Sequence, residues 1–338
     1  MRVKNNNEAI GVILLNLGGP DSLKAVRPFL YNLFSDRQII RLGPRFMQKP
    51  LARLIAAIRS KRTEKMYAMI GRKSPILDIT TAQAKALEDV LNSELRTSNA
   101  SIKFKVYVGM RYWHPFIEKV VPELYNAGFK KVIALSLYPQ YSVTTSGSSL
   151  SKFREVAADF QMETFSISSW HNHPLYIEAL VDVIKKGIES FIPRSGGRGG
   201  GDVHVLFSAH SLPQKIIEEG DPYVNHIIGT IGEVTKRITI KWHLSYQSRS
   251  GPVKWLEPST DEKIKELALA GIKNILVVPI SFVSDHIETL YEIDILYKNM
   301  AEKLGITLKR VDSLNSHPYF IDALKDMVIK SVKEIGWA

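Results

Sequence analysis

Apolar runs rich in β-branched and aliphatic residues recur along the chain, at Val12–Leu17, Lys103–Val108, Val132–Leu137, Val203–Ser208 and Ile275–Ile280. Their apolar character is continuous rather than alternating, which marks strands covered on both faces, as in a parallel sheet between helices. Helical patterns fill the intervals, at Thr81–Leu91, Pro115–Tyr125, Tyr176–Phe191, Asp261–Ala270 and Tyr319–Ile335. This alternation defines an α/β fold. At 338 residues the chain has the length of two medium domains, and its segments repeat. NAGFKKVIALSLYPQYS (Asn126–Ser142) resembles LAGIKNILVVPISFVSD (Leu269–Asp285), and Val12–Pro20 and Val203–Pro213 are each a strand, a small polar residue, a turn and a proline. The expectation is a duplicated lobe: residues 1–175, then residues 176–338, with the C-terminal helix packing back on the first lobe. SGGRGGG (Ser195–Gly201) reads as a flexible surface loop ahead of the second lobe's first strand. Open sheets of this kind bind ligands beyond the carboxyl ends of their strands.

The sequence has no cysteine, which excludes disulfides, thiolate zinc sites and cysteine-ligated iron–sulfur clusters. Metal chemistry must therefore use His, Asp, Glu, Tyr or Met. A net charge of +11 points to an anionic partner, whether nucleic acid, a phospholipid surface or a carboxylated ligand. No aromatic RNA-binding strand pair or zinc finger is present, so nucleic acid is set aside. No apolar run approaches the ~20 residues of a membrane span. The N-terminal MRVKNNNEAIGVILLNLGG suits a buried strand better than a signal peptide, so a cytoplasmic location is expected. Arg41–Lys65 is rich in arginine and lysine. Pro50 is placed to start a helix there, and Leu51, Leu54, Ile55 and Ile58 share one face. Such a basic amphipathic helix either rests on anionic lipid or packs on its own protein.

Chemistry-bearing residues gather where the strands end. His210 leaves a strand within Ser208-Ala209-His210-Ser211-Leu212-Pro213, and its near-neutral pKa suits proton transfer or a divalent metal; the plainer alternative is a histidine bonded to a loop. After Ile275–Ile280 the chain runs SFVSDHIETLYE, with Glu288 and Glu292 four apart on one helical face and Asp285 and His286 at its start. Asp285 with Glu288 also fits an N-terminal capping box. Arg111-Tyr112-Trp113 offers a carboxylate fork beside flat rings, although such aromatics commonly pack the core. Gly18-Gly19-Pro20 permits close backbone approach but is not the GxGxxG pattern, which disfavours a nicotinamide cofactor.

LNLGGP, MRYWHP, YPQYS followed by TTSGSSL, FSAHSLP with GDPY, and VPISFVSDHIETLYEID together resemble the ferrochelatase family, in matching order over nearly the whole chain. The resemblance implies two Rossmann-like lobes with parallel sheets flanked by helices and a porphyrin cleft between them. It implies insertion of ferrous iron into protoporphyrin IX, since YPQYS and GSSL look like the protoporphyrin branch rather than the coproporphyrin one. By it, His210 takes pyrrole protons or ligates iron, with Glu288 its acidic partner across the cleft. Asp285 and Glu292 belong to the polar side that handles metal or protons. Leu17, Arg111, Tyr112 and Phe282 match positions contacting the macrocycle, and Arg62, Tyr67 and Ser74 match the lip that holds the propionates. The lip departs from mitochondrial relatives, with a shorter stretch between Arg62 and Tyr67 and Gly71-Arg72-Lys73-Ser74 in place of a glycine-rich run. Leu296 stands where relatives often continue the acidic row. No resident cofactor, iron–sulfur cluster or obligate protein partner is implied, iron being a substrate; contact with an anionic membrane surface is a further expectation. The rivals are a chelatase for coproporphyrin or sirohydrochlorin, and a non-catalytic tetrapyrrole-binding protein.

Overall fold

The structure is a computed structural model that describes residues 9–95, 102–192 and 202–337. The glycine-rich stretch Ser195–Gly201 lies outside the described residues. Two four-stranded, wholly parallel sheets carry the fold. The first holds β1 (Ala9–Asn16), β2 (Lys103–Met110), β3 (Lys131–Ser136) and β4 (Glu163–Ile167) in the order β2-β1-β3-β4. The second holds β5 (Val203–His210), β6 (Lys241–Gln247), β7 (Asn274–Val278) and β8 (Thr307–Arg310) in the order β6-β5-β7-β8. The two orders are the same, so the repeat legible in the sequence is a repeat of topology.

The helices are α1 (Val26–Ser35), α2 (Gln48–Met69), α3 (Ile76–Leu95), α4 (Ile117–Asn126), α5 (Ser148–Ala157), α6 (Pro174–Glu189), α7 (Gln214–Glu218), α8 (Tyr223–Thr235), α9 (Thr260–Leu269), α10 (Lys298–Lys303) and α11 (Pro318–Glu334). A π-helical segment follows the third strand in each repeat, at Val143–Gly147 and at Glu288–Tyr297.

The inner strands β1, β3, β5 and β7 are buried along almost their whole length, as continuous apolar runs require. The strand β2 instead alternates, exposing Lys103 and Lys105 while burying Phe104 and Val106, because it is an edge strand. The remaining edge strands, β4, β6 and β8, are short and part-exposed, and the apolar pattern does not reveal them. One core packs β1 and β3 against α4 and α5 through Ile13, Leu15, Val121, Leu124, Val132 and Phe153; another packs β5, β7 and β8 against α9 and α10.

By its contacts the chain divides into Met1–Lys65, Lys73–Trp170 and Ser316–Ala338 in one unit and Met66–Arg72 with His171–Asn315 in the other. The main boundary falls at 170/171 where the sequence reading put 175/176, with the C-terminal helix in the first unit and Met66–Arg72 in the second. The helix α11 packs on α3 of the first unit, and α6 packs on α8 and β7 of the second. Both helices begin alike, His173-Pro174 with Ile177-Glu178-Ala179-Leu180 and His317-Pro318 with Ile321-Asp322-Ala323-Leu324. Proline at the first helical position fits because its missing N–H has no partner to lose there.

The apolar face read for α2 is not the one that packs on the protein. Leu54 and Ile58 are exposed and Leu51 and Ile55 half-buried, while Gln48, Ala52, Ala56 and Ser60 form the buried row. The cause is at the helix start: Gln48 Nε2 donates to the carbonyls of Phe34 and Ile40, and its Oε1 accepts from Arg37. That anchor sets the helix phase, and small residues at four-residue spacing continue along the same face.

Candidate active site

The strands β5 and β7 are neighbours in one sheet, so their carboxyl ends leave the same edge. His210 is the last residue of β5 and Glu288 the first of the π-helix that follows β7. His210 Nδ1 meets Glu288 Oε2 at 2.8 Å. Both residues belong to the second unit, which corrects the expectation that they face each other from opposite lobes: adjacency in the sheet brings them into contact, with no gap between them. The histidine backbone is held on both sides, its N–H donating to Ser281 Oγ at 2.8 Å and its carbonyl accepting from the Tyr223 hydroxyl at 3.0 Å.

The pair is sheltered but not sealed, with side chains 32% exposed for His210 and 17% for Glu288. Burial alone would lower the His210 pKa, yet the charge and hydrogen bond of Glu288 outweigh it and raise it above the usual imidazole value. Burial likewise works against Glu288 ionisation, but the His210 charge and bond hold it down at about 2. Glu292 goes the other way: burial, then repulsion from Glu288, lifts it to about 7. Two carboxylates four residues apart are thus driven to different protonation states.

Ser248 stands between them. Its hydroxyl lies 2.8 Å from Glu288 Oε2 and 2.6 Å from Glu292 Oε2, and its backbone adopts φ +66°, a left-handed conformation uncommon outside glycine. Gln247 Nε2 donates to the Glu288 carbonyl and to Glu292 Oε2, while its Oε1 accepts from Ser208. Neither residue was singled out from the sequence. Both sit at the end of β6, the edge strand that the apolar pattern misses.

Phe282 lies edge-on to His210 at 6.2 Å and to His286 at 4.4 Å between ring centroids. Burial lowers the His286 pKa, and its Nδ1 bonds the Ser284 carbonyl. Asp285, expected on the side that handles metal or protons, is committed elsewhere: its oxygens accept from Thr289, Ser313, Asn315 and Arg310. The capping box with Glu288 does not form either, since Glu288 bonds His210 and Ser248.

Residues expected from the first lobe form a cluster of their own. Arg111 donates to Asp36 Oδ2 at 2.7 Å and to Ser148 Oγ at 2.9 Å, and Tyr112, only 2% exposed, donates to the same Asp36 oxygen at 2.7 Å. The arginine fork thus already holds a carboxylate of the chain, and Tyr112 is an interior residue, as bulky aromatics commonly are. Leu17, half-buried, accepts the Tyr112 N–H. Ser74 is buried against the Gly18-Gly19-Pro20 turn, its N–H on the Pro20 carbonyl; a Cβ at Gly19 would stand 2.5 Å from Ser74 Oγ. Tyr67 is buried and Arg62 exposed on α2.

Paired parallel sheets with an imidazole and carboxylates at the strand ends define a chelatase-type α/β protein. The fold matches two solved structures of SirB from Bacillus subtilis, one with Fe3+ and one, a sirohydrochlorin chelatase, with cobalt, at TM-scores of 0.52 and 0.51. Each covers 96% of this chain, and 95% and 96% of those chains, at 10% identity, so the likeness is one of fold. The chain belongs to the ferrochelatase family, whose profile matches residues 9–332. Relatives named ferrochelatase include those of Geotalea uraniireducens, 48% identical over 96% of this chain and 98% of theirs, and Geobacter metallireducens, 49% identical over 96% and 99%. The ferrochelatase of Synechocystis is 45% identical over 96% of this chain and 83% of its own.

Proposed function

We propose that the protein inserts ferrous iron into protoporphyrin IX, giving protohaem and two protons, the closing step of haem synthesis. The observation that carries this is the 2.8 Å contact between His210 and Glu288 at the strand ends, in a chain whose relatives are named ferrochelatase. As Fe²⁺ enters, two pyrrole N–H bonds break and both protons need an acceptor in a water-poor site. Glu288 engages Nδ1, so Nε2 is the nitrogen left to face substrate, either to take a pyrrole proton or to meet the metal. An ionised Glu288 stabilises the imidazolium that results. Glu292, near its titration point at neutral pH, accepts a proton and passes it towards solvent. Phe282 supplies a flat wall beside the imidazole. Leu17, Arg111 and Tyr112 serve the macrocycle through the scaffold around them, and Arg62, Tyr67 and Ser74 the propionate side, where Arg62 alone of the three is exposed enough to meet a carboxylate directly.

Anaerobic addition of Fe²⁺ to porphyrin and protein, followed by porphyrin fluorescence, tests this. Catalysed quenching is expected with protoporphyrin IX. Equal rates with coproporphyrin or sirohydrochlorin would overturn the substrate assignment, and no catalysed quenching with any of them would favour a binding protein.

Peripheral contact with an anionic membrane completes the proposal, since protoporphyrin is apolar. Among the described residues no helix is long and apolar enough to cross a membrane, but exposed Phe46, Leu54 and Ile58 lie among exposed Arg45, Lys49 and Arg53. Apolar side chains ringed by cations suit a lipid headgroup layer, at about 1 kcal/mol per basic residue near the surface. Co-flotation with anionic liposomes at low salt is expected, and no flotation there would reject the contact.

A further inference from the structure

A π-helix is rare and appears mostly as a single turn inside an α-helix, yet the segment carrying Glu288 and Glu292 stays π-helical through Glu288–Tyr297. Something must hold so long a stretch in that form. Arg310, the last residue of β8, makes contacts that do so. Its Nε and Nη2 grip both oxygens of Asp294 at 2.9 and 2.8 Å. Its Nη1 reaches Asp285 Oδ1 at 3.1 Å, along with the Val311 carbonyl and Ser313 Oγ. The arginine side chain is only 10% exposed. Asp285 is fixed in turn by Ser313, Thr289 and both ends of the Asn315 amide.

The two aspartates lie on either side of Glu288 and Glu292 in sequence. Asp285 stands just ahead of Glu288, and Asp294 follows Glu292. Asp285 lies in irregular backbone ahead of the π-helix, and Asp294 lies within it. One guanidinium thus ties the entry of the segment to its body, with Glu288 and Glu292 between the two anchor points.

We propose that Arg310 is a positioning residue for iron insertion: by tying Asp294 within the π-helix to Asp285 just ahead of it, it holds the segment that aims Glu288 at His210 and Glu292 at Ser248. The inference rests on the assignment of His210 and Glu288 as the reacting pair. Lysine cannot replace the bridge, because its single ammonium lacks the planar fork that grips one carboxylate in two places and still reaches another.

The experiment compares the parent enzyme with Arg310→Lys and Asp294→Asn, the latter altering a side chain already 37% exposed. Steady-state iron insertion is measured alongside porphyrin KM and thermal unfolding. Both variants are expected to lose about 10- to 100-fold in kcat, as for outer-shell partners of reacting groups, with porphyrin KM within about twofold of the parent. Unchanged kcat in a folded variant overturns the proposal, as does a fall in kcat that merely tracks the folded fraction or that appears instead in KM. If the parent itself inserts no iron, the assignment of function fails and not the bridge.

Discussion

At the scale of single residues, neighbouring groups of the candidate site push one another's protonation in opposite directions. Glu288 raises the His210 pKa and His210 lowers that of Glu288, so protonated imidazole and ionised carboxylate stabilise each other. A base must be neutral to accept a pyrrole proton, so kcat is expected to rise with pH through a midpoint above the ordinary imidazole value of 6.5. Replacing Glu288 by Gln removes the charge that favours imidazolium, so the His210 titration, followed by nitrogen NMR, moves to lower pH; an unmoved midpoint contradicts the pairing. His210 and Glu288 were both legible in the sequence, as an imidazole leaving a buried strand and a carboxylate opening a helix. Their direct contact was not, because it depends on which strands are neighbours. Ser248 carried no signal at all: nothing in the identity of a serine announces a left-handed backbone, and only the structure places its hydroxyl on two carboxylates.

At the scale of elements, the inner strands were legible because burial on both faces leaves no room for polar residues. The edge strands β4, β6 and β8 were not, since an exposed face dilutes the apolar run. The buried row of α2 was not legible for a related reason: Gln48 anchors the helix on carbonyls of another segment, and no periodicity within the helix encodes that. A cap that the sequence reading did not single out has both partners close in sequence. Ser259 and Glu262 form a complete capping box at the start of α9, which fixes the helix that packs on β6. Ser259→Ala is expected to lower unfolding stability by about 1 kcal/mol, read from urea denaturation; an unchanged midpoint would mean the cap contributes nothing there.

At the scale of the whole molecule, the duplicated topology carries chemistry in only one copy. Aligning the repeats sets Leu17 opposite His210 and Thr145 opposite Glu288, so the first copy keeps the strand ends and has lost the titratable pair. The placement of α11 in the first unit makes that unit depend on a distant part of the chain. A fragment of residues 1–175 lacks the helix that covers α3, and its expected failure to unfold cooperatively should be repaired by adding residues 316–338 in trans; a stable fragment alone would contradict that dependence. Global acid sensitivity follows from the histidines. Burial lowers His171 to about 4 and depresses His226, which stacks on it at 3.9 Å, as well as His243 and His286. A depressed histidine binds fewer protons folded than unfolded, so its contribution is lost as pH falls from 6.5 towards the folded value. His210 and Glu292, both raised, work in the opposite sense but are outnumbered by the four depressed histidines. Tm is therefore expected to fall between pH 7 and 5, and His226→Phe, which keeps the stack, should flatten that slope; a pH-independent Tm would contradict the account. The proposed chemistry converges on one imidazole, and the most direct test is iron insertion by His210→Ala. The account predicts that Fe²⁺ no longer quenches porphyrin fluorescence at a catalysed rate while porphyrin still binds, and full turnover in that variant would contradict it.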